Sequence, residues 1–293
     1  MTPTLVRHRP RTTSPPPVPG SGRQRAERTE TAEISAQARD WAEIQERMLV
    51  PLYEAVYDRL EVGAATRLLG LGCGSGLALL MAAARGARVT GADTDRERLA
   101  LAHERTAPDP LTRTADIELV HGDLAGAADP AHPPYTVITA FRPLGGEAGG
   151  TEGLGTSLEA AVKLAGHGSA VVLTGWGPPE RCATSGVLRI AGRLTPRPHG
   201  GWRPARRDDL EDVATGAGLR PDGSGRVACP FGYADVGSAV RGLLSTGLYA
   251  AAAEGSGRAR VEKEIAEALH PYTRGDGTVW MPNVFRYLIA RTP

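Results

Sequence analysis

Three glycines at alternate positions, Gly72, Gly74 and Gly76, follow the apolar run Arg67-Leu68-Leu69-Gly70-Leu71 and lead into a helical pattern. A second apolar run, Arg88-Val89-Thr90-Gly91-Ala92, ends in Asp93, 17 residues after Gly76 (93 − 76). Glycines in a strand-to-helix turn let a ligand approach the backbone closely. A carboxylate at the end of the next strand accepts hydrogen bonds from ribose hydroxyls. The pairing is that of an α/β domain that holds an adenosine-containing cofactor.

Such a site needs a sheet with its strand ends aligned, and the chain has the alternation to build one. The patterns predict strands at 67–71, 87–92, 116–120, 135–140 and 168–174. Helices are expected at 75–85, 95–105, 153–165 and 207–218. Short apolar runs separated by helices imply a parallel sheet covered on both faces. Before it, Trp41, Ile44, Met48, Leu49, Leu52, Val56 and Leu60 recur at helical spacing, with Pro51 expected to kink or divide the helix. After it, 233–253 and 258–270 read as helices and 284–290 as a last strand. The expected organisation is a disordered tail over 1–35, N-terminal helices over 36–62 and a core over 63–231. A helical cap over 232–272, inserted before a final strand within 280–291, completes it.

Bulk properties narrow the function. With 293 residues, 41% hydrophobic and 23% charged, the chain has enough apolar material for a real core. A net charge of +1 gives no field to draw nucleic acid or an anionic membrane. No apolar run approaches the ~18–20 residues that span a bilayer. Three cysteines (Cys73, Cys182, Cys229) are too few and scattered for a disulfide framework or zinc cluster, and none of the seven histidines has metal-ligand spacing. A cytoplasmic protein without metal is expected.

The G-x-G-x-G turn resembles the first motif of class I S-adenosylmethionine-dependent methyltransferases, specifically over about residues 65–175 and more loosely, in the style of actinobacterial small-molecule enzymes, over 205–290. The resemblance implies a Rossmann-like, doubly wound, mostly parallel seven-stranded sheet and S-adenosyl-L-methionine as cofactor. It assigns Gly70, Gly72, Cys73, Gly74 and Gly76 to the loop around the cofactor, and Asp93 and Thr94 to its ribose. Gly122, Asp123 and Leu124 fall to its adenine, and Ala140 and Phe141 to the strand end beside it. Cys73 reads as a small buried filler rather than a nucleophile. Leu77 stands where a nicotinamide-type G-x-G-x-x-G needs glycine, and neither Lys163 nor Lys263 has a Tyr four residues earlier, which disfavours an oxidoreductase.

Two acids usual in such proteins are missing: Gly70 stands where an Asp or Glu helps hold the cofactor's ammonium, and Thr136 where strand four usually starts with Asp. Their loss raises the alternative of a non-catalytic regulatory or partner-binding protein on the same fold. If the site is merely weakened, Gly70→Asp is expected to tighten it.

Methyl transfer from a sulfonium is an in-line displacement that asks for alignment and a dry site, and for a base only when the acceptor is protonated. Acceptor contacts are expected from Trp41, Gln45, Tyr53 and Tyr57 on the N-terminal helix and from the loop 175–182 with Trp176 and Arg181. Tyr233, Arg241, Tyr249 and Tyr272 of the cap complete the set. Glu180 is a candidate base. Phe141-Arg142-Pro143-Leu144 after strand four is no N-P-P-Y tetrapeptide, which disfavours nucleic acid. The expected partner is a small-molecule acceptor, with no nucleic acid and no membrane; the protein is expected to be a monomer or homodimer.

Overall fold

A computed structural model describes residues 36–107, 117–122, 124–127, 133–144, 150–195 and 206–293. The expected tail over 1–35 and the candidate Asp123 lie outside the described residues.

The strands are β1 (Arg67–Leu71), β2 (Arg88–Asp93), β3 (Ile117–His121), β4 (Tyr135–Leu144), β5 (Ala165–Trp176), β6 (Arg220–Ala228), β7 (Phe231–Tyr233), β8 (Val279–Met281) and β9 (Val284–Arg291). The α-helices are α1 (Val50–Arg59), α2 (Leu77–Ala84), α3 (Arg96–Thr106), α4 (Gly150–Val162), α5 (Thr184–Leu194), α6 (Asp209–Gly216), α7 (Val236–Leu244), α8 (Ala250–Ser256) and α9 (Arg258–Ala268). Seven strands form one sheet in the order β3-β2-β1-β4-β5-β9-β6, and β7 pairs with β8 in a two-stranded sheet. β1 to β5 pair in parallel, and β9 runs antiparallel between β5 and β6. This is the Rossmann-like, mostly parallel seven-stranded architecture the motif implies.

Alternation along the strands divides the core. Leu68, Val89, Val137 and Val172 face α1, α2 and α5, with α7 to α9 in the same cluster. Leu69, Leu71, Ile138, Val171 and Leu173 face the opposite way, against Leu158 and Ala161 of α4 and Leu210 and Ala214 of α6. Neighbouring residues of one strand thus serve different cores, as they must in a sheet covered on both sides. Strand order reverses between β1 and β4, which opens a crevice at their carboxyl ends.

Four elements escape the sequence patterns: the paired short strands β7 and β8, the strand β6 and the helix α5. β6 carries Pro221, Gly223 and Gly225, residues that weaken a central strand, but it lies at the sheet edge and pairs only with β9. Helix α5 follows directly on the Pro/Gly-rich loop and buries Val187, Leu188, Ile190 and Ala191.

The N-terminal helix also departs from expectation. Pro51 occupies the second position of α1, where its missing N–H costs nothing. The irregularity falls before it: Trp41–Gln45 form a π turn and Glu46–Leu49 a 3-10 turn. The changed winding buries Gln45 and Glu46 side by side.

Candidate active site

One cavity of about 970 Å³ opens at the carboxyl ends of β1, β2 and β4. Its floor is the glycine turn. Gly72, Gly74 and Gly76 all have positive φ (62°, 58° and 85°), a backbone state that L side chains rarely adopt. A Cβ on Gly72 or on Gly122 would meet nothing within 4 Å, so the space above both stands open. Gly76 turns instead toward α3, against Ala102, and does not line the cavity.

Asp93 stands at the end of β2 beside this opening, half-buried. Its Oδ2 accepts from the Gly74 N–H (2.7 Å) and its Oδ1 from the Asp95 N–H (2.8 Å). A carboxylate has about four acceptor positions, so capacity remains for ribose hydroxyls. Capping of α3 falls to Asp95, which accepts from the Glu97 and Arg98 N–H groups at 3.1 Å each.

Position 70, where the acid is missing, packs closely against Leu79. A Cβ on Gly70 would lie 2.7 Å from Leu79 Cδ2, and one on its neighbour Gly91 across the β1–β2 pair would also collide with Leu79. Leu79 is buried in the space that two paired glycines leave open. Gly70→Asp, expected to restore a contact, would first have to displace the tip of the Leu79 side chain. Thr136 belongs elsewhere altogether. It is exposed at the amino end of β4, where its Oγ1 accepts from the Arg67 N–H (3.0 Å), at the opposite end of the sheet from the crevice.

The roof comes from the N-terminal segment and the region after α7. Glu46, 2% exposed, accepts from the Ser75 hydroxyl and pairs with Arg105 at 2.8 Å. Arg98 stacks over the Trp41 ring at 4.4 Å, pairs with Asp95 and donates to the Ser245 carbonyl at 2.7 Å. Three segments far apart in sequence are thereby tied together over the crevice. Burial lowers the Arg98 pKa from its ordinary value.

Beyond the glycine turn the cavity is walled by Tyr53, Phe141, Trp176, Leu188, Phe231 and Phe285. Tyr53 and Phe141 rings lie 4.7 Å apart, as do Trp176 and Phe285. Thr184 adds a hydroxyl that is buried without a hydrogen-bond partner. Burial, and then the Glu46 charge, raise the Tyr53 pKa well above the ordinary phenol value. Burial, reinforced by Asp93 and Glu46, also raises that of the Cys73 thiol. Both groups stay neutral, and Cys73 is no nucleophile.

The structure therefore brings Gly70, Gly72, Cys73, Gly74, Asp93, Thr94, Gly122, Leu124, Ala140, Phe141, Trp41, Gln45, Tyr53 and Trp176 to one cavity. Tyr57 and Arg181 are not among its walls. Tyr57 is fully buried and donates to the Ala78 carbonyl (2.9 Å), fixing α1 on α2. Arg181 and the candidate base Glu180 are exposed in a short 3-10 turn. The cap tyrosines also pack rather than line: Tyr233 donates to Gln45 Oε1 (2.9 Å) and Tyr249 is buried. The cap contributes Leu243, Thr246, Gly247 and Leu248 instead. Glu46, Arg98, Thr184, Leu188, Phe231 and Phe285 were not singled out by any motif; burial inside a cavity wall is their only signature. Among the described residues no group of His, Cys, Asp or Glu is placed to hold a metal, and no helix is long and apolar enough to cross a membrane.

The open space over Gly72 and Gly122, the acceptor capacity of Asp93 and the unpartnered Trp41 Nε1 suit an adenosyl group carrying an amino-acid tail. Comparison with known proteins agrees. Residues 68–145 match the methyltransferase domain family. Among solved structures, a candidate methyltransferase from Bacillus halodurans is 12% identical, with a TM-score of 0.51 over 82% of this chain and 98% of that one. The YcgJ protein from Bacillus subtilis is 14% identical, with a TM-score of 0.50 over 82% and 97%. These two likenesses speak to fold alone. No curated protein matches the chain. From the family match and the glycine turn with its strand-end acid, the chain carries a class I methyltransferase domain and is an enzyme that uses S-adenosylmethionine.

Proposed function

We propose that the enzyme methylates an O, N or C nucleophile of a small organic molecule whose body is largely apolar. The observation that carries this reading is the single cavity shared by the glycine turn and the walls formed by Tyr53, Phe141, Trp176, Phe231 and Phe285. A pocket with mostly apolar walls and a few polar groups is what small ligands occupy.

Gly72, Gly74, Asp93, Gly122 and Leu124 would hold the cofactor, which when bound supplies an electrophilic methyl on a sulfonium. The aromatic walls would do the rest. They exclude water and hold the acceptor against the glycine turn, and orientation of this kind can supply ~7–11 kcal/mol of a barrier. Tyr53 presents a ring and a neutral hydroxyl, suited to facing a cation without competing for the methyl. Thr184 offers one hydrogen bond with which to orient an acceptor oxygen or nitrogen.

The test is to incubate the enzyme with S-adenosylmethionine and an extract fractionated by size, and to follow S-adenosylhomocysteine by mass spectrometry. Product formed only with the small-molecule fraction is expected. Product formed only with protein or nucleic acid would overturn the proposal.

A further inference from the structure

Two side chains of the N-terminal segment are left incompletely served by the fold. Trp41 Nε1 is buried with no hydrogen-bond partner, and lies 3.0 Å from where a Cβ on Gly74 would stand. Glu46 Oε1 lies 3.3 Å from the same point. The two Glu46 oxygens are unequally satisfied. Oε2 takes the Ser75 hydroxyl and the Arg105 guanidinium, whereas Oε1 receives only the Leu77 N–H at 3.4 Å. Burial outweighs these partners and raises the Glu46 pKa above the ordinary carboxylate value. Both residues line the cavity together with Gly72 and Gly74.

A buried N–H donor without an acceptor is uncommon in native proteins and asks for an explanation. Here it stands beside an under-served carboxylate, over the glycine turn. That pair is complementary to an α-amino-acid zwitterion, whose carboxylate accepts and whose ammonium donates. At position 70, where an acid is absent, a Cβ would lie 2.7 Å from Leu79 Cδ2. We propose that Glu46 and Trp41 together grip the amino-acid end of the cofactor. Glu46 binds the α-ammonium in place of the acid absent from β1, and the Trp41 Nε1–H binds the α-carboxylate. The inference rests on the cofactor assignment above and adds the residues that recognise its tail.

Calorimetric titration of two ligands separates tail recognition from mere support of the fold. S-adenosylhomocysteine carries the amino-acid tail; 5′-methylthioadenosine has the same adenosine and thioether without it. In Glu46→Gln, affinity for S-adenosylhomocysteine should fall about 10- to 100-fold, the usual effect of losing a hydrogen bond to a charged group, with 5′-methylthioadenosine unaffected. Trp41→Phe keeps a ring beneath Arg98 and should show the same selectivity with a smaller loss. Equal weakening of both ligands, or unchanged binding of S-adenosylhomocysteine, overturns the proposal. Should Glu46→Gln not fold by circular dichroism, Trp41→Phe alone decides. Wild-type protein that binds neither ligand at millimolar concentration would instead bring down the cofactor assignment itself.

Discussion

The two halves of the cavity are built by opposite strategies. The cofactor half is made of backbone and short-range geometry: one turn between β1 and α2, one carboxylate at the end of β2, one glycine after β3. Its parts are fixed by strand register, since Gly70 pairs with Gly91 and Asp93 closes onto the Gly74 N–H. The acceptor half is made of side chains that meet only in the folded state, with Tyr53 from α1, Phe141 from β4, Trp176 from β5, Phe231 from β7 and Phe285 from β9. Backbone recognition constrains a sequence at fixed spacings. A wall of rings constrains only size and apolarity, and so permits acceptor choice to change while the cofactor half stays as it is.

Breaking the cofactor half should have the largest effect. Asp93→Ala removes the carboxylate proposed to receive the ribose and also releases the Gly74 and Asp95 N–H groups. Each hydrogen bond to a charged group is worth ~1.5–3 kcal/mol, so affinity for S-adenosylhomocysteine should drop at least ~100-fold by calorimetry. Unchanged affinity would count decisively against the assignment. Next in size is Gly70→Asp. Because Leu79 fills its space, overpacking should cost ~1–3 kcal/mol, read as a lower melting temperature, and binding should not improve. The double change Gly70→Asp with Leu79→Ala, if it recovered more stability than either single change predicts, would show that the collision is the cause.

The acceptor half should break differently. Trp176→Leu removes a ring that lies 4.7 Å from Phe285 and 6.2 Å from Phe231. Acceptor KM should rise about 2- to 13-fold, in line with the ~0.5–1.5 kcal/mol of aromatic pairing, while S-adenosylhomocysteine binding stays level. Equal loss of both would mean that the halves are not separable. The smallest effect concerns pH. Burial pushes the Cys229 thiol from 9.0 up to about 12. The unfolded chain ionises first on raising the pH, so this contribution to stability is present below about pH 9 and is lost progressively towards pH 12. Chemical-denaturation midpoints should fall over that window, and less so in Cys229→Ser.

Legibility follows the same division. The first five strands, the glycine turn and Asp93 announce themselves, because a parallel sheet needs apolar runs and a nucleotide turn needs glycine at set positions. The edge strand β6 did not, since an edge tolerates the Pro and Gly that read as loop. Tyr57 misled because an aromatic stripe at helical spacing looks the same whether it faces core or cavity, and only the Ala78 carbonyl decides. Thr136 looked like a defect in the site until the strand register put it at the other end of the sheet. Glu46 was invisible for a physical reason: the π and 3-10 turns that bring it over Gly74 leave no spacing rule behind.

The leucine lodged over both strands carries a lesson for reading relatives. Positions 70, 79 and 91 share one volume, so changes at them are coupled. A homologue bearing a carboxylate at the first of them should carry a smaller side chain at the second. Scoring any one column of an alignment by itself would then mistake a redistribution of bulk for the decay of a binding site.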